Sequence, residues 1–158
     1  MCVRARQKPR TTKGPILKPY RVLVTGSRDW TDLLTLDIAL GSEQGMAAID
    51  LRPLVVVHGG ARGADAMADA WARRNGFAVE KHPAIWRPNG VYNPQAGLLR
   101  NREMVRLGAD VCLAFIRSGS RGASHCARLA EEAGIPTNRY TDDSVRPPVS
   151  PPVRRLGL

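Results

Sequence analysis

Short apolar runs alternate with amphipathic segments through the middle of the chain. The apolar runs are four to seven residues long, and those at LVVV and DVCLAFI are apolar on both faces, which is typical of strands buried inside a parallel sheet. Five runs predict strands: Arg21–Thr25, Leu54–Val57, Phe77–Lys81, Asp110–Ile116 and Pro136–Tyr140. Four intervening segments predict helices: Asp32–Leu40, Ala64–Asn75, Gln95–Leu107 and Gly122–Ala133.

Glycines mark the ends of these helices. Gly76, Gly108 and Gly134 each follow a segment of helical period, at the position where a helix usually ends. The first helix is followed by both Gly41 and Gly45, which leave its C-terminal limit open, and its buried face is predicted to hold Leu33, Leu36 and Leu40. The alternation of strand and helix predicts an α/β fold: a Rossmann-like three-layer sandwich of about five mainly parallel strands with helices on both faces.

The two ends of the chain differ in composition from the middle. Residues 1–19 are polar, basic and interrupted by prolines, and residues 142–158 contain four prolines. Neither end has enough apolar surface to offset the entropy of ordering it, so both are expected to be disordered tails. The predicted folded domain is therefore residues 20–141.

Charge and cysteine content restrict the class of protein. The net charge is +10, and residues 1–20 contribute +6 of it without a single acid. Such a tail predicts either weak contact with nucleic acid through residues 1–19 or a solvated extension. Three widely spaced cysteines predict neither disulfides nor a zinc site. Without an apolar run of membrane length or a signal peptide, we expect a cytoplasmic protein with no membrane partner.

Three strand ends run into turns that combine small residues with arginine. The first turn is Thr25–Asp29 (TGSRD), the second is Gly59–Asp65 (GGARGAD), and the third is Arg117–Ser124 (RSGSRGAS). Glycine allows close backbone approach, the first N–H groups of a helix attract anions, and arginine adds a forked cation suited to phosphate. Because parallel strands end at one edge of the sheet, the three turns predict one anion site there.

The motif content excludes several nucleotide-binding classes. The chain has neither the G-x-x-x-x-G-K-[ST] loop of kinases and GTPases nor the G-x-G-x-x-G fingerprint of classical dehydrogenases. A fourth segment, Leu99–Met104, contains Arg100 and Glu103, which are three apart and predicted to pair on one helix face. The preceding loop holds Trp86 and Tyr92, which are expected to fold over the site and offer an aromatic surface to a base.

Taken together, these segments resemble a known superfamily. VLVTGSRDW, VVVHGGARGADAMADAWA, AGLLRNREMV and GADVCLAF are similar to the SLOG superfamily, which is named for the Smf/DprA and LOG proteins, and to its branch of short YspA-like (cpYpsA-related) proteins. The resemblance covers roughly residues 20–140. It implies a Rossmann-like sheet, nucleotide-type ligands and homo-oligomers.

The resemblance also implies roles for individual residues. LOG enzymes hold the phosphate of a nucleoside monophosphate in a GG-x-x-G-x-M turn, and Gly59, Gly60 and Gly63 match its glycines. Arg100 stands at the place of a LOG arginine. In the final LOG motif, PGGxGTxxE, Cys126 replaces the glutamate expected to assist glycosidic cleavage. LOG-type phosphoribohydrolase activity would therefore need another carboxylate.

Several polar residues are open to two interpretations. Asp65 is either a ligand-contacting carboxylate or a first-turn acid that favours the helix dipole. His58 is predicted to be half-buried and bonded to backbone, and His125 could face the site. Cys126 is either a thiolate nucleophile or a small core residue.

The leading hypothesis is a nucleotide-binding sensor or processing protein. The alternatives are an N-glycosidic, phosphoribohydrolase-like hydrolase and a DprA-like nucleic-acid-binding protein. Whether it is an enzyme stays open, and neither a cofactor nor a metal is expected. A homodimer or higher oligomer is expected through the helices with Trp71 and Leu98–Val105.

Predicted catalytic residues are Arg100, Asp65 and Glu103. Predicted ligand-binding residues are Gly26, Ser27, Arg28, Gly59, Gly60, Arg62, Gly63, Gly119, Ser120, Arg121, Gly122 and Ala123.

Overall fold

A computed structural model describes residues 17–141, so the predictions for residues 1–16 and 142–158 lie outside the described residues. The strands are β1 (Tyr20–Gly26), β2 (Leu54–His58), β3 (Ala78–Lys81), β4 (Val111–Ile116) and β5 (Thr137–Thr141). The helices are α1 (Leu33–Ile49), α2 (Ala64–Arg74), α3 (Ala96–Leu107) and α4 (Arg121–Glu132), with a short 3₁₀ turn at Pro88–Gly90. Every predicted strand and helix is present, and most ends agree within one residue.

The five strands form one parallel sheet in the order β3-β2-β1-β4-β5. The central strands β1 and β4 are joined in register, with Val22 opposite Val111. All six residues of β4 are buried, as expected for a strand covered on both faces. The chain runs outward from β1 to β3 and then returns to β4 on the other side. The strand order therefore reverses between β1 and β4, where open α/β sheets bind ligands.

Two apolar layers hold the helices to the sheet. On one face, α1 and α2 pack their buried residues against Val22, Val24 and Phe115. On the other face, α3 and α4 pack against Leu23 and Val57. The predicted Rossmann-like three-layer sandwich is confirmed. Within residues 17–141, no helix has the length and apolar character needed to cross a bilayer.

The first helix is longer than predicted. It continues to Ile49 through Gly41 and Gly45, because buried Leu36, Leu40 and Ala47 pack against the core and outweigh the low helix propensity of glycine. Leu33 was predicted to be buried but is 49% exposed, and the helix begins there, after the N-cap Asp32. Arg28 therefore lies in a loop rather than at a helix start.

Ion pairs close the amino edge of the sheet, where the strands begin. Arg52 donates to both carboxylate oxygens of Asp110 at 2.8 and 2.9 Å, and the N–H of Arg21 donates to Asp110 at 2.8 Å. Arg21 also forms a two-bond pair with Glu80, at 2.5 and 2.9 Å. The hydrogen bonds from Arg21 lower the pKa of Glu80 to about 2, against the opposing effect of burial.

Candidate functional site

The opposite, carboxyl edge of the sheet contains a cavity of about 410 Å³. All three predicted turns contribute to its wall, and the first two turns of α3 close it. Its lining includes seven of the predicted site residues: Gly26, Arg28, Asp65, Arg100, Ser120, Gly122 and Ala123. An adjoining cavity of about 440 Å³ shares Arg28 and Arg100 and is lined by Gly59, Gly60 and Arg62 as well. The structure thus gathers most of the predicted residues at one place.

Arg100 reaches from α3 across the end of β2. Its Nη1 donates to the carbonyl oxygen of Gly59 and, at 3.3 Å, to that of His82. Its Nε donates to Asn101 Oδ1 at 2.9 Å, and Asn101 Nδ2 in turn donates to the carbonyl of Gly122 at 3.2 Å. A Cβ at Gly59 would overlap the guanidinium, so a side chain at this position would displace Arg100 from the place described. These bonds fix the guanidinium without neutralising it.

Asp65 is a buried carboxylate in the wall of the cavity, with 3% of its surface exposed. Its Oδ2 accepts hydrogen bonds from the N–H groups of Gly59 (3.1 Å) and Ala61 (3.2 Å). Burial raises the pKa of Asp65 to about 6, although these N–H groups, Arg100 and Arg28 act in the opposite direction. Within residues 17–141, Oδ1 makes no hydrogen bond, so one carboxylate oxygen is left for a ligand.

Side chains that are close in sequence accept hydrogen bonds from the backbone of the Gly59–Gly63 turn. Asp65 accepts hydrogen bonds from the N–H groups of Gly59 and Ala61. His58 Nδ1 accepts a hydrogen bond of 3.0 Å from the N–H of Gly60. The first three N–H groups of the turn are therefore occupied, and a phosphate at this turn would contact Arg62 and the remaining backbone instead. Gly63 has φ +75°, and a Cβ there would collide with the backbone of the first turn. Because Gly63 has no side chain, the first and second turns can come into contact.

The third turn leads directly into α4. Ser120 is its N-cap residue, and the N–H groups of Arg121, Gly122 and Ala123 have no hydrogen-bond partner among the described residues. A Cβ at Gly119 or Gly122 would meet nothing within 4 Å, so this end of α4 is open space. Unpaired N–H groups and the helix dipole make it favourable for an anion.

Several cations at this edge lack an acidic partner. In the described part of the chain, Arg28, Arg62, Arg100 and Arg121 form no ion pair with a carboxylate. The acidic residues lining the cavity of about 410 Å³ are Asp29 and the buried Asp65. The cavity is therefore electropositive when Asp65 is protonated and remains so in part when it is ionised.

An aromatic loop forms the outer wall. Trp86 lines both cavities, and its ring is stacked on Tyr92 with centroids 6.3 Å apart and an interplanar angle of 11°. The guanidinium of Arg87 lies over the ring of Tyr92, 5.9 Å from its centroid. Trp86 is 39% exposed. Of the two aromatic residues predicted to cover the site, Trp86 thus lies beside the unpaired arginines, whereas Tyr92 packs behind it and lines neither cavity.

Two predicted site residues have other positions. Glu103 does not pair with Arg100; it accepts two bonds from Arg106, at 2.8 and 2.9 Å, and lines neither of these two cavities. Arg100 and Arg106 are each three residues from Glu103 in the sequence. Glu103 pairs with Arg106 because Arg100 is hydrogen-bonded to the carbonyl of Gly59 instead. Ser27 is fully buried, and its Oγ accepts a 2.7 Å bond from the N–H of Arg117. It joins the first and third turns.

Cys126 is fully buried among Leu23 and Met104, and burial raises the pKa of its thiol to about 11. It is a core residue and no thiolate nucleophile. His58 is only 1% exposed rather than half-buried, and burial lowers its pKa, while the predicted bond to backbone is present. His125 is partly buried and does not line the cavity.

Sequence reasoning missed Asn101, which is 3% exposed and links Arg100 to α4. The available signal was an amide side chain among the apolar residues that form one side of the predicted helix. It also missed Pro94, Gly97 and Leu98, which line the cavity from the start of α3. These residues carry no chemical signature and depend on where the helix docks.

Comparison with known proteins shows the family of the chain. The sequence profile of the "YspA, cpYpsA-related SLOG family" matches residues 20–88, which span β1 to the aromatic loop. The Gene 61 protein of Mycobacterium phage D29 is 52% identical over 127 residues, covering 77% of this chain and 97% of that protein. This similarity extends well beyond the profile match. The chain belongs to the YspA, cpYpsA-related SLOG family.

Proposed function

We propose that the protein binds a nucleotide or a nucleotide-derived phosphate ligand in the cavity at the carboxyl edge of the sheet, as a sensor or a nucleotide-processing protein. Membership of the SLOG family suggests a nucleotide-related function. The observation that supports the site most strongly is the convergence of three strand-end turns on one cavity that contains unpaired Arg28 and Arg100. Such fixed cations are suited to phosphate.

Each part of a nucleotide has a matching part of the cavity. The phosphate would lie between Arg28, Arg100 and the first N–H groups of α4, where backbone donors and cations converge. The base would stack on Trp86, which faces both cavities. The free oxygen of Asp65 would accept a hydrogen bond from a sugar hydroxyl.

Isothermal calorimetry with adenosine, guanosine, cytidine and uridine monophosphates tests this proposal. We expect one site per chain for at least one of them. Arg28→Ala should weaken binding roughly 10- to 100-fold, because a hydrogen bond to a charged group contributes about 1.5–3 kcal/mol. The matched control is Arg128→Ala, which removes an exposed arginine whose partner is Glu132, far along α4. Equal losses in both variants, or no binding of any monophosphate, would contradict the proposal.

Asp65 supports a second candidate function, N-glycosidic hydrolysis. A pKa of about 6 suits a general acid or base near neutral pH, and Asp65 lines the cavity, whereas Cys126, at the place of the LOG glutamate, is buried. Asp65 is nevertheless tied to two backbone N–H groups, so we expect binding with little release of free base. Chromatography of nucleoside monophosphates over hours measures this. Robust release that Asp65→Asn abolishes and Cys126→Ala leaves unchanged would establish the hydrolase instead.

A further inference from the structure

The outer face of α1 is apolar and nothing in residues 17–141 covers it. Its outermost positions, spaced four, three, four and four residues apart, are Leu34, Ile38, Gly41, Gly45 and Ile49. Leu34, Ile38 and Ile49 are 68%, 64% and 75% exposed. Both glycines face open space. From Ile38 to Ile49 the helix has a single charged residue, Glu43, and that residue is buried. Water-facing helices normally carry charges on this side.

A strained and exposed apolar residue follows the helix. Leu51 follows α1 with φ +53°, a conformation that a bulky residue seldom adopts, and its side chain is 78% exposed. Both features are unfavourable for an isolated chain. With Leu33 and Met46 at the flanks, six large apolar side chains on or next to α1 are 47–78% exposed. Together they expose several hundred square ångströms of apolar surface, which is of the order of the about 800 Å² per partner of a standard interface.

We propose that this face binds the same face of a second copy of the chain, with the two α1 helices antiparallel. The pattern is self-complementary about a two-fold axis at residue 43. In that arrangement Gly41 of one copy meets Gly45 of the other, and Ile38 lies level with Ala48, one residue from Ile49. The glycines allow the helix backbones to approach closely while the large side chains pack at both ends. Neither terminal segment of the chain has an apolar stripe of helical period that would fit there.

This surface differs from the one expected from the sequence. Trp71 was expected to contribute to an interface, but it is 3% exposed and stacks on Phe77. Met104 and Val105 are buried as well. Of the predicted segments, Leu98 and Leu99 alone present large exposed apolar side chains.

Sedimentation velocity of the full chain at 1–100 µM tests the proposal, independently of any ligand. The wild type should have twice the chain mass of 17.2 kDa. Ile38→Glu should be a monomer over this range, with an unchanged circular dichroism spectrum. The control Leu107→Glu places the same charge at a 43%-exposed leucine on α3 and should remain a dimer. A monomeric wild type, or an Ile38→Glu variant as dimeric as the wild type, would overturn the proposal.

Gly41→Ala provides a test that loss of folding cannot mimic. Alanine favours the helix, so the melting temperature of the monomer should rise or stay unchanged. The added methyl group should nevertheless weaken dimerisation at least tenfold, because it separates the two backbones. An unchanged dimerisation constant would contradict the close antiparallel contact.

Discussion

The two edges of the sheet hold arginine in opposite ways. At the amino edge, Arg52 and Arg21 are paired with Asp110 and Glu80, and their charges are neutralised by carboxylates from distant parts of the chain. At the carboxyl edge, Arg100 is bonded to carbonyl oxygens, and Arg28 has no ion pair with any described acid. The first arrangement stabilises the fold. The second retains positive charge in a cavity at the cost of some stability, which is typical of a site prepared for an anion.

The glycines of the carboxyl edge should differ in their importance to folding. Gly63→Ala should lower stability by about 3 kcal/mol or more, because φ +75° disfavours alanine and its Cβ would press against the backbone oxygens of Ser27 and Arg28. Gly122→Ala should change stability by less than about 1 kcal/mol, since open space surrounds that helical position. Thermal unfolding of both variants measures the difference. Similar melting temperatures would show that the first two turns do not touch as described.

Removing an ion pair at the amino edge should lower stability without changing nucleotide affinity. Asp110→Ala removes the acceptor of two Arg52 bonds and of the Arg21 N–H. We expect a loss of about 2 kcal/mol in the free energy of unfolding, because the carboxylate is partly exposed. Urea denaturation measures this loss, and calorimetry should find unchanged nucleotide affinity per folded chain. A large change in affinity would mean that the two edges are coupled.

Asp65 should make stability depend on pH. Its pKa is about 6 in the fold and near 3.8 when unfolded, so the folded chain holds an extra proton between these values. The contribution of Asp65 is therefore favourable at low pH and is lost as the pH rises through 6. Asp65→Asn removes this dependence while keeping an oxygen acceptor for Gly59 and Ala61.

Relative to wild type, the Asp65→Asn variant should gain about 2 kcal/mol on going from pH 4 to pH 8, somewhat less than the full pKa difference allows, because the unfolded carboxyl group is already partly ionised at pH 4. Chemical denaturation of both proteins across this range tests the sign. A difference that is constant with pH, or that reverses, would show that Asp65 is not destabilised by its burial.

The fold was predictable from the sequence because its strands are short, apolar and bounded by glycine, as at Leu54–His58. The length of α1 was not, because packing of Leu40 and Ala47 overrides two glycines. The predicted turns do meet at one edge, since that follows from parallel topology. What could not be predicted were contacts between distant segments, such as Arg100 with Gly59, which deprived Glu103 of its expected partner.

The central claim is that unpaired arginines at the carboxyl edge hold a phosphate. Calorimetry of the wild type and Arg28→Ala with a nucleoside monophosphate and with the corresponding nucleoside tests it most directly, because the two ligands differ only in the phosphate. The account predicts that the monophosphate binds the wild type at least tenfold more tightly than the nucleoside, and that Arg28→Ala removes most of this advantage while changing nucleoside affinity little. Equal affinities of the wild type for the two ligands would contradict it.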